Sequence, residues 1–208
     1  MNYLQLCQRT VQECGISGRP MTLANQQGEL ARVIEWVRQA YLMVQNERDW
    51  NWLWRHITAQ LAAGQQDFDP AQDWGVYALR WRRRSLMLDG HPIAMYDYQA
   101  PNPVPVQTQR PSAVWLMPDR TLRFNSRLDQ NRTFYGEYYS TSEVLREDDD
   151  TPSMPEQYHD AILWQAVLLY ADFEEAGALR VTAQYKLDLL RAQMLGSEIT
   201  HGTPEPFA

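Results

Sequence analysis

The chain has 208 residues, of which 44% are apolar and 12% aromatic, with 10 Gly and 12 Pro scattered along it. That length suits one globular domain with at most a modest insertion, needs no metal or disulfide staple, and excludes overall disorder, a collagen-like chain or a coiled-coil fibre. The formal charge of −7 argues against a surface that grips nucleic acid all over; residues 141–208 carry −9, while 1–62 and 63–140 carry +1 each.

Leu4, Cys7, Val11 and Cys14 form one stripe and predict a helix over residues 2–14, with Gly15 as its stop. On that helix the two cysteines, the only ones in the chain, stand about 10.5 Å apart along the axis. A disulfide needs Cα atoms within about 7 Å, so two buried thiols in a reducing compartment are expected. No basic segment followed by an apolar one opens the sequence, and no signal peptide is expected. The longest apolar stretch, 161–171, is interrupted by Gln165 and is too short for a bilayer. A soluble protein made inside a cell, without a membrane partner, follows as the expectation.

A second helix is predicted from Asn25, as N-cap, to about Glu47, burying Leu30, Val33, Ile34, Val37, Tyr41 and Val44. Trp50, Trp52 and Trp54 then lie in a short turn that leads into a strand. Segments 56–62, 83–89, 112–117, 121–125 and 132–140 are β-branched or aromatic and separated by turns such as Ala63-Gly64, Asp89-Gly90 and Met117-Pro118-Asp119. In the last of them, Phe134, Gly136 and Tyr138 alternate with Tyr135, Glu137 and Tyr139, as in a half-exposed strand. The prolines at 101, 103 and 105 enforce an extended path.

Pro155 is expected to start a helix running to about Ala176 and ended by Gly177. A partner helix follows from Ala178 to about Leu195, with Leu179, Ala183, Leu187, Leu190 and Met194 on one face. The two should form an antiparallel hairpin that packs against the second helix. The expected architecture is α+β: a helical bundle from residues 1–55 and 141–196, a β-rich insertion at 56–140, and an extended tail at 197–208.

Catalytic chemistry finds little purchase. The four histidines, at 56, 91, 159 and 201, form no HExxH pair, and there is no CxxC, phosphate loop or G-x-S-x-G elbow. No catalytic residue, metal ligand or cofactor site is expected, and no enzyme activity. His159-Asp160 reads as a partly exposed pair at a helix end, and Cys7 as inert. The tryptophans at 50, 52 and 54 suit a core or subunit interface; a sugar platform flanked by Asp67, Asp69 and Asp73 is the alternative. In a strand, Arg82 and Arg84 would face away from Arg83, so Trp81-Arg82-Arg83-Arg84 forms no basic strip. Residues 147–150 read as a solvated acidic loop before a helix.

The order of features resembles the head-to-tail adaptor (connector) proteins of tailed bacteriophages. The resemblance is carried by Asn46-Glu47-Arg48-Asp49-Trp50-Asn51-Trp52-Leu53, by Arg110-Pro111-Ser112-Ala113 leading to the 117–119 turn, and by Gly136-Glu137-Tyr138-Tyr139. Its clearest part is Asp148-Asp149-Asp150-Thr151-Pro152-Ser153-Met154-Pro155-Glu156-Gln157-Tyr158-His159-Asp160-Ala161-Ile162 with the helical hairpin after it. It spans residues 1–55 and 110–196.

The resemblance implies a structural virion protein at the head–tail junction, assembled in the host cytoplasm. It implies a homo-oligomeric ring, usually of twelve copies, that docks on the portal protein and offers a platform to a tail or nozzle protein. DNA passes through without specific binding. In such adaptors a C-terminal extension reaches the portal, which makes Pro204, Pro206 and Phe207 the expected portal-binding residues. Abundant Trp, Tyr and Arg suit an assembly subunit. A carbohydrate-active or carbohydrate-binding tail component, and a tail-tube terminator ring, are the competing functions.

Overall fold

The computed structural model describes residues 1–98 and 109–201. The fold is α+β, a bundle built from helices of both ends of the sequence with a β-rich insertion. It divides into two compact units, Met1–Trp52 with Ser142–Ala208, and Leu53–Thr141.

In the first unit, α1 (Tyr3–Glu13), α2 (Gly28–Asn46), α4 (His159–Phe173) and α5 (Gly177–His201) surround one core. Helix α4 is its centre: it packs on α1, α2 and α5 and is buried continuously from Ala161 to Leu168, on every side. The hairpin of α4 and α5 therefore reaches α2 through α4, as expected. Helix α2 buries Val33, Val37, Ala40, Tyr41 and Val44, close to the expected face. It starts later than expected, because Asn25 sits at φ 58° in a left-handed turn and Gln27 takes the N-cap position.

The turn between α4 and α5 is also built differently. Glu175, at φ 53°, adopts the left-handed conformation that glycine usually supplies, and the Ala176 N–H donates to the Ala171 carbonyl at 2.9 Å. Gly177 is the first residue of α5, not a stop, and Pro155 precedes a 3-10 turn at Glu156–Tyr158 that runs into α4. Helix α5 continues through His201, so residues 197–201 are helical where an extended tail was expected.

The acidic run is a loop with its side chains exposed or half-exposed, as expected, but its backbone and two of its carboxylates are engaged. The Tyr3 N–H donates to the Asp150 carbonyl at 2.8 Å and the Leu4 N–H to the Asp148 carbonyl at 3.1 Å. The Gln5 N–H goes to Asn2 Oδ1 at 2.9 Å, so the exposed donors of the α1 N-terminus are met largely by a segment some 145 positions away. Asp148 Oδ1 also accepts the Leu23 N–H, and Asp150 Oδ2 the N–H groups of Arg146 and Glu147. The backbone there is folded around its carboxylates, which holds the carboxyl of Asp150 below its ordinary range.

The second unit consists of two sheets over a shared core. In the first, β1 (Trp54–Leu61) pairs antiparallel with β9 (Arg132–Ser140) along its whole length, Trp54 opposite Tyr139 and Leu61 opposite Arg132. Along its other edge β9 pairs with β3 (Ala78–Trp81) and β4 (Met87–Leu88), which continues to β5 (His91–Pro92) through the Asp89-Gly90 turn. In the second sheet β2 (Asp67–Phe68), β8 (Leu122–Phe124), β7 (Ala113–Leu116) and β6 (Ala94–Asp97) are neighbours in that order. A short helix, α3 (Pro70–Trp74), joins β2 to β3. The expected strand over 83–89 is mostly absent, since Arg83–Ser85 is a 3-10 turn, and β2, β3, β5 and β6 lie outside the segments that the sequence pattern signalled.

Leu61, Phe68, Trp81, Leu88, Val114, Phe124 and Phe134 are shared by the core. Phe134 is its hub, with ring centroids 5.5 Å from Trp74, 6.0 Å from Trp81 and 6.2 Å from Phe124. Gly136 lies two residues further on the same face of β9. A Cβ there would come within 2.9 Å of both Leu86 Cδ2 and Trp81 Cζ3 and 3.1 Å of Phe134 Cζ. Two of those atoms belong to rings packed inside the core, which have no room to swing. Gly136→Ala is therefore expected to lower stability by about 1–3 kcal/mol in chemical denaturation, and an unchanged midpoint would show that the rings can yield.

Candidate interaction surfaces

The residues that could have carried catalysis are held by structural contacts. His159 is 1% exposed rather than partly exposed. Its Nε2–H donates to the Met154 carbonyl at 3.0 Å, and its Nδ1 accepts from the amino group of Met1 at 2.8 Å, so the ring is neutral. Burial, chiefly, lowers its pKa. Asp160 pairs with Arg9 at 2.5 Å. Cys7 is buried, which pushes its thiol well above the ordinary range, and Cys14 is half-buried with its thiol pushed up to about 12. Neither is a nucleophile in this state.

The His159 geometry carries a pH prediction. In the unfolded chain the imidazole takes a proton near pH 6.5, whereas the folded site resists it until lower pH. The unfolded state then binds more protons, so the contribution is full above pH 6.5 and declines as pH falls below it. Urea midpoints measured from pH 7.5 to 5 should fall more steeply for the native chain than for His159→Gln; parallel curves would remove His159 from the acid response.

The sugar-platform arrangement is not formed. Trp50 is buried, donates from Nε1 to the Val44 carbonyl at 2.7 Å and stacks on Trp52 at 4.5 Å. Asp67 pairs with Arg123 at 2.6 Å. Asp69 caps α3 by accepting from Ala71 and Gln72, and Asp73 returns to the Asp69 N–H at 2.8 Å. Each of the three carboxylates is committed to its own neighbourhood. Arg82 lies over the Trp54 ring at 4.3 Å and pairs with Glu137 at 2.9 Å, while Arg83 pairs with Asp97. Trp81 is buried, so this stretch offers no continuous basic strip.

What the structure leaves open to partners is apolar. On α5, Ala183, Leu187 and Met194 are buried, as the sequence pattern indicated, with Leu179 and Leu190 partly covered. The opposite side carries Val181, Tyr185 and Leu189, exposed by 71%, 65% and 48%. Their i, i+4, i+8 spacing makes a second apolar stripe on the same helix. That spacing is legible in the sequence beside the core face on the other side of the helix.

In the second unit Tyr77 and Leu79 are exposed beside a pocket of about 410 Å³. Pro70, Trp81, Leu116, Pro118 and Arg120 are among its walls. The expected portal-binding residues Pro204, Pro206 and Phe207 lie outside the described residues. Among the described residues, no helix is long and apolar enough to cross a membrane and no group of His, Cys, Asp and Glu could hold a metal ion.

Comparison with curated proteins finds no match. The family model of the SU10 adaptor protein matches residues 1–203, across both units and including every segment that carries the adaptor resemblance. The chain belongs to the SU10 adaptor protein family, a family of phage head-to-tail adaptors.

Proposed function

We propose that this phage structural adaptor works as a closed ring between portal and tail. Twelve copies, the number the resemblance implies, surround a passage for DNA and present a platform to the tail or nozzle protein, after assembly in the host cytoplasm. The observation that carries the ring is the second apolar stripe of α5. A monomer gains nothing by exposing Val181, Tyr185 and Leu189 in one row, and a neighbouring copy in a ring would cover them. The net charge of residues 141–208 supports the passage, because a lumen that must let DNA slide is better acidic than basic.

Native mass spectrometry of the protein, alone and mixed with its portal, tests this reading. A discrete multiple of the subunit mass is expected, and Val181→Glu with Leu189→Glu should reduce it to single copies without loss of helix signal in circular dichroism. Single copies of the native chain at tens of micromolar, with portal present, would overturn the ring.

A further inference from the structure

A closed ring needs two unlike surfaces on each copy. A row of side chains that met its own equivalent would join a pair of copies and leave nothing to recruit a third, whereas a larger ring is built head to tail. The exposed row of α5 must then be covered by a different patch of the next copy. Resting on the ring reading above, we propose that this patch is the aromatic seam between α2 and α4. Val181, Tyr185 and Leu189 of one copy dock on Trp36 and Phe173 of the next, with Asp188 facing the neighbour's Arg32. Both surfaces belong to the helical unit.

The seam is built and only partly covered. The core face of α2 runs through Val33, Val37, Ala40 and Val44, and Arg32, Trp36 and Met43 stand beside it on the side turned to α4. The Trp36 ring lies 5.8 Å from Tyr170 and 5.5 Å from Phe173, and Gln165 reaches Met43 Sδ at 3.9 Å. Even so, Phe173 is 53% exposed and Met43 39%. Aromatic rings, Met and Arg are the side chains concentrated in interfaces. Here they are held against one another before any partner arrives, so docking immobilises little that is free.

Charge sets the register. The Arg32 guanidinium lies over the Phe173 ring at 4.7 Å and makes no ion pair among the described residues. On α5, Asp188 adjoins Leu189 and lies one turn from Tyr185. Its nearest cation, Arg191, is 3.8 Å away and is itself paired with Glu47. An underused acid on the row and an underused cation in the seam complement each other across the contact.

The test replaces Tyr185 of the full chain with photo-reactive benzoylphenylalanine. Equal amounts of isotopically heavy and light protein are mixed, alone and with portal, and cross-links are mapped by mass spectrometry. Cross-links between heavy and light chains are expected, from position 185 to residues 32–43 or 165–173. Arg32→Glu or Asp188→Arg should each reduce their yield about ten-fold, and the double reversal should restore it. Both positions are exposed, so all three variants should keep the native helix signal in circular dichroism. Cross-links to α5 of another copy, to portal alone or elsewhere on the chain would overturn the proposal, as would a double reversal that recovers nothing. Native mass spectrometry of the same samples reports the ring separately. An intact ring without these cross-links sinks the seam alone, whereas single copies throughout sink both the seam and the ring.

Discussion

Leu187→Asp should unfold the helical unit. Leu187 is fully buried on the face of α5 that meets α4. Removing its side chain forfeits packing worth about 2–5 kcal/mol, and the carboxylate that replaces it adds the cost of desolvating a charge. The sum approaches the whole stability of a typical domain, about 5–15 kcal/mol. The expected result is a protein that accumulates poorly or melts at least 15 °C below the native chain in circular dichroism. Leu187→Ala should give a folded protein with an intermediate loss. Leu189→Asp, two residues on and facing out, should leave the melting temperature of the dissociated chain nearly unchanged. If the two aspartate variants behave alike, the buried and exposed faces of α5 have been exchanged.

Phe134→Ala should do comparable damage in the β-rich unit. Its ring is fully buried, and Trp74, Trp81 and Phe124 all pack against it. Truncation leaves a cavity lined by large rigid rings that cannot close over it, so the loss belongs at the upper end of the range, about 3–5 kcal/mol. Near-ultraviolet circular dichroism should show it as a loss of aromatic signal in denaturant well before that of the native chain. A shift worth less than about 1 kcal/mol would mean that Phe134 is not the hub the ring distances describe.

The sequence carried the helices well because each buries a periodic face: the α2 stripe and the 183–187–194 face of α5 lie close to where the spacing puts them, while α1 buries Tyr3, Leu6 and Thr10 beside Cys7 and Val11 and leaves Leu4 and Cys14 half-buried. It carried β9 for the same reason, with Phe134 and Gly136 inward and Tyr135 and Glu137 partly exposed. What it hid were interactions without a local signature. Nothing near Asp148 and Asp150 indicates that their carbonyls meet the N–H groups of Tyr3 and Leu4, and a run of acids looks solvated when its backbone cannot be seen. The α4–α5 turn was misplaced because Glu175 took a conformation normally betrayed by glycine. Strand β3 was missed because Trp81 and the arginines after it read as one strand, while the chain turns at Arg83. The candidate surfaces were partly legible: the row at 181, 185 and 189 obeys helical spacing, whereas the pocket beside Tyr77 assembles residues from 69 to 141 and has no linear trace.

The distant capping of α1 also sets a timetable. While the protein is being made, Tyr3 and Leu4 leave the ribosome at the very start, but the carbonyls that satisfy them belong to residues 148 and 150. At about 5–20 residues per second, α1 and α2 must wait on the order of ten seconds or more for those partners and for α4, their common core. Residues 53–141, by contrast, contain both sheets and their core in one continuous stretch and can close as soon as they emerge. The order of birth is thus reversed in the order of folding. For that interval the apolar faces of α1 and α2 are uncovered, which makes the nascent chain, rather than the finished adaptor, the form most in need of a chaperone.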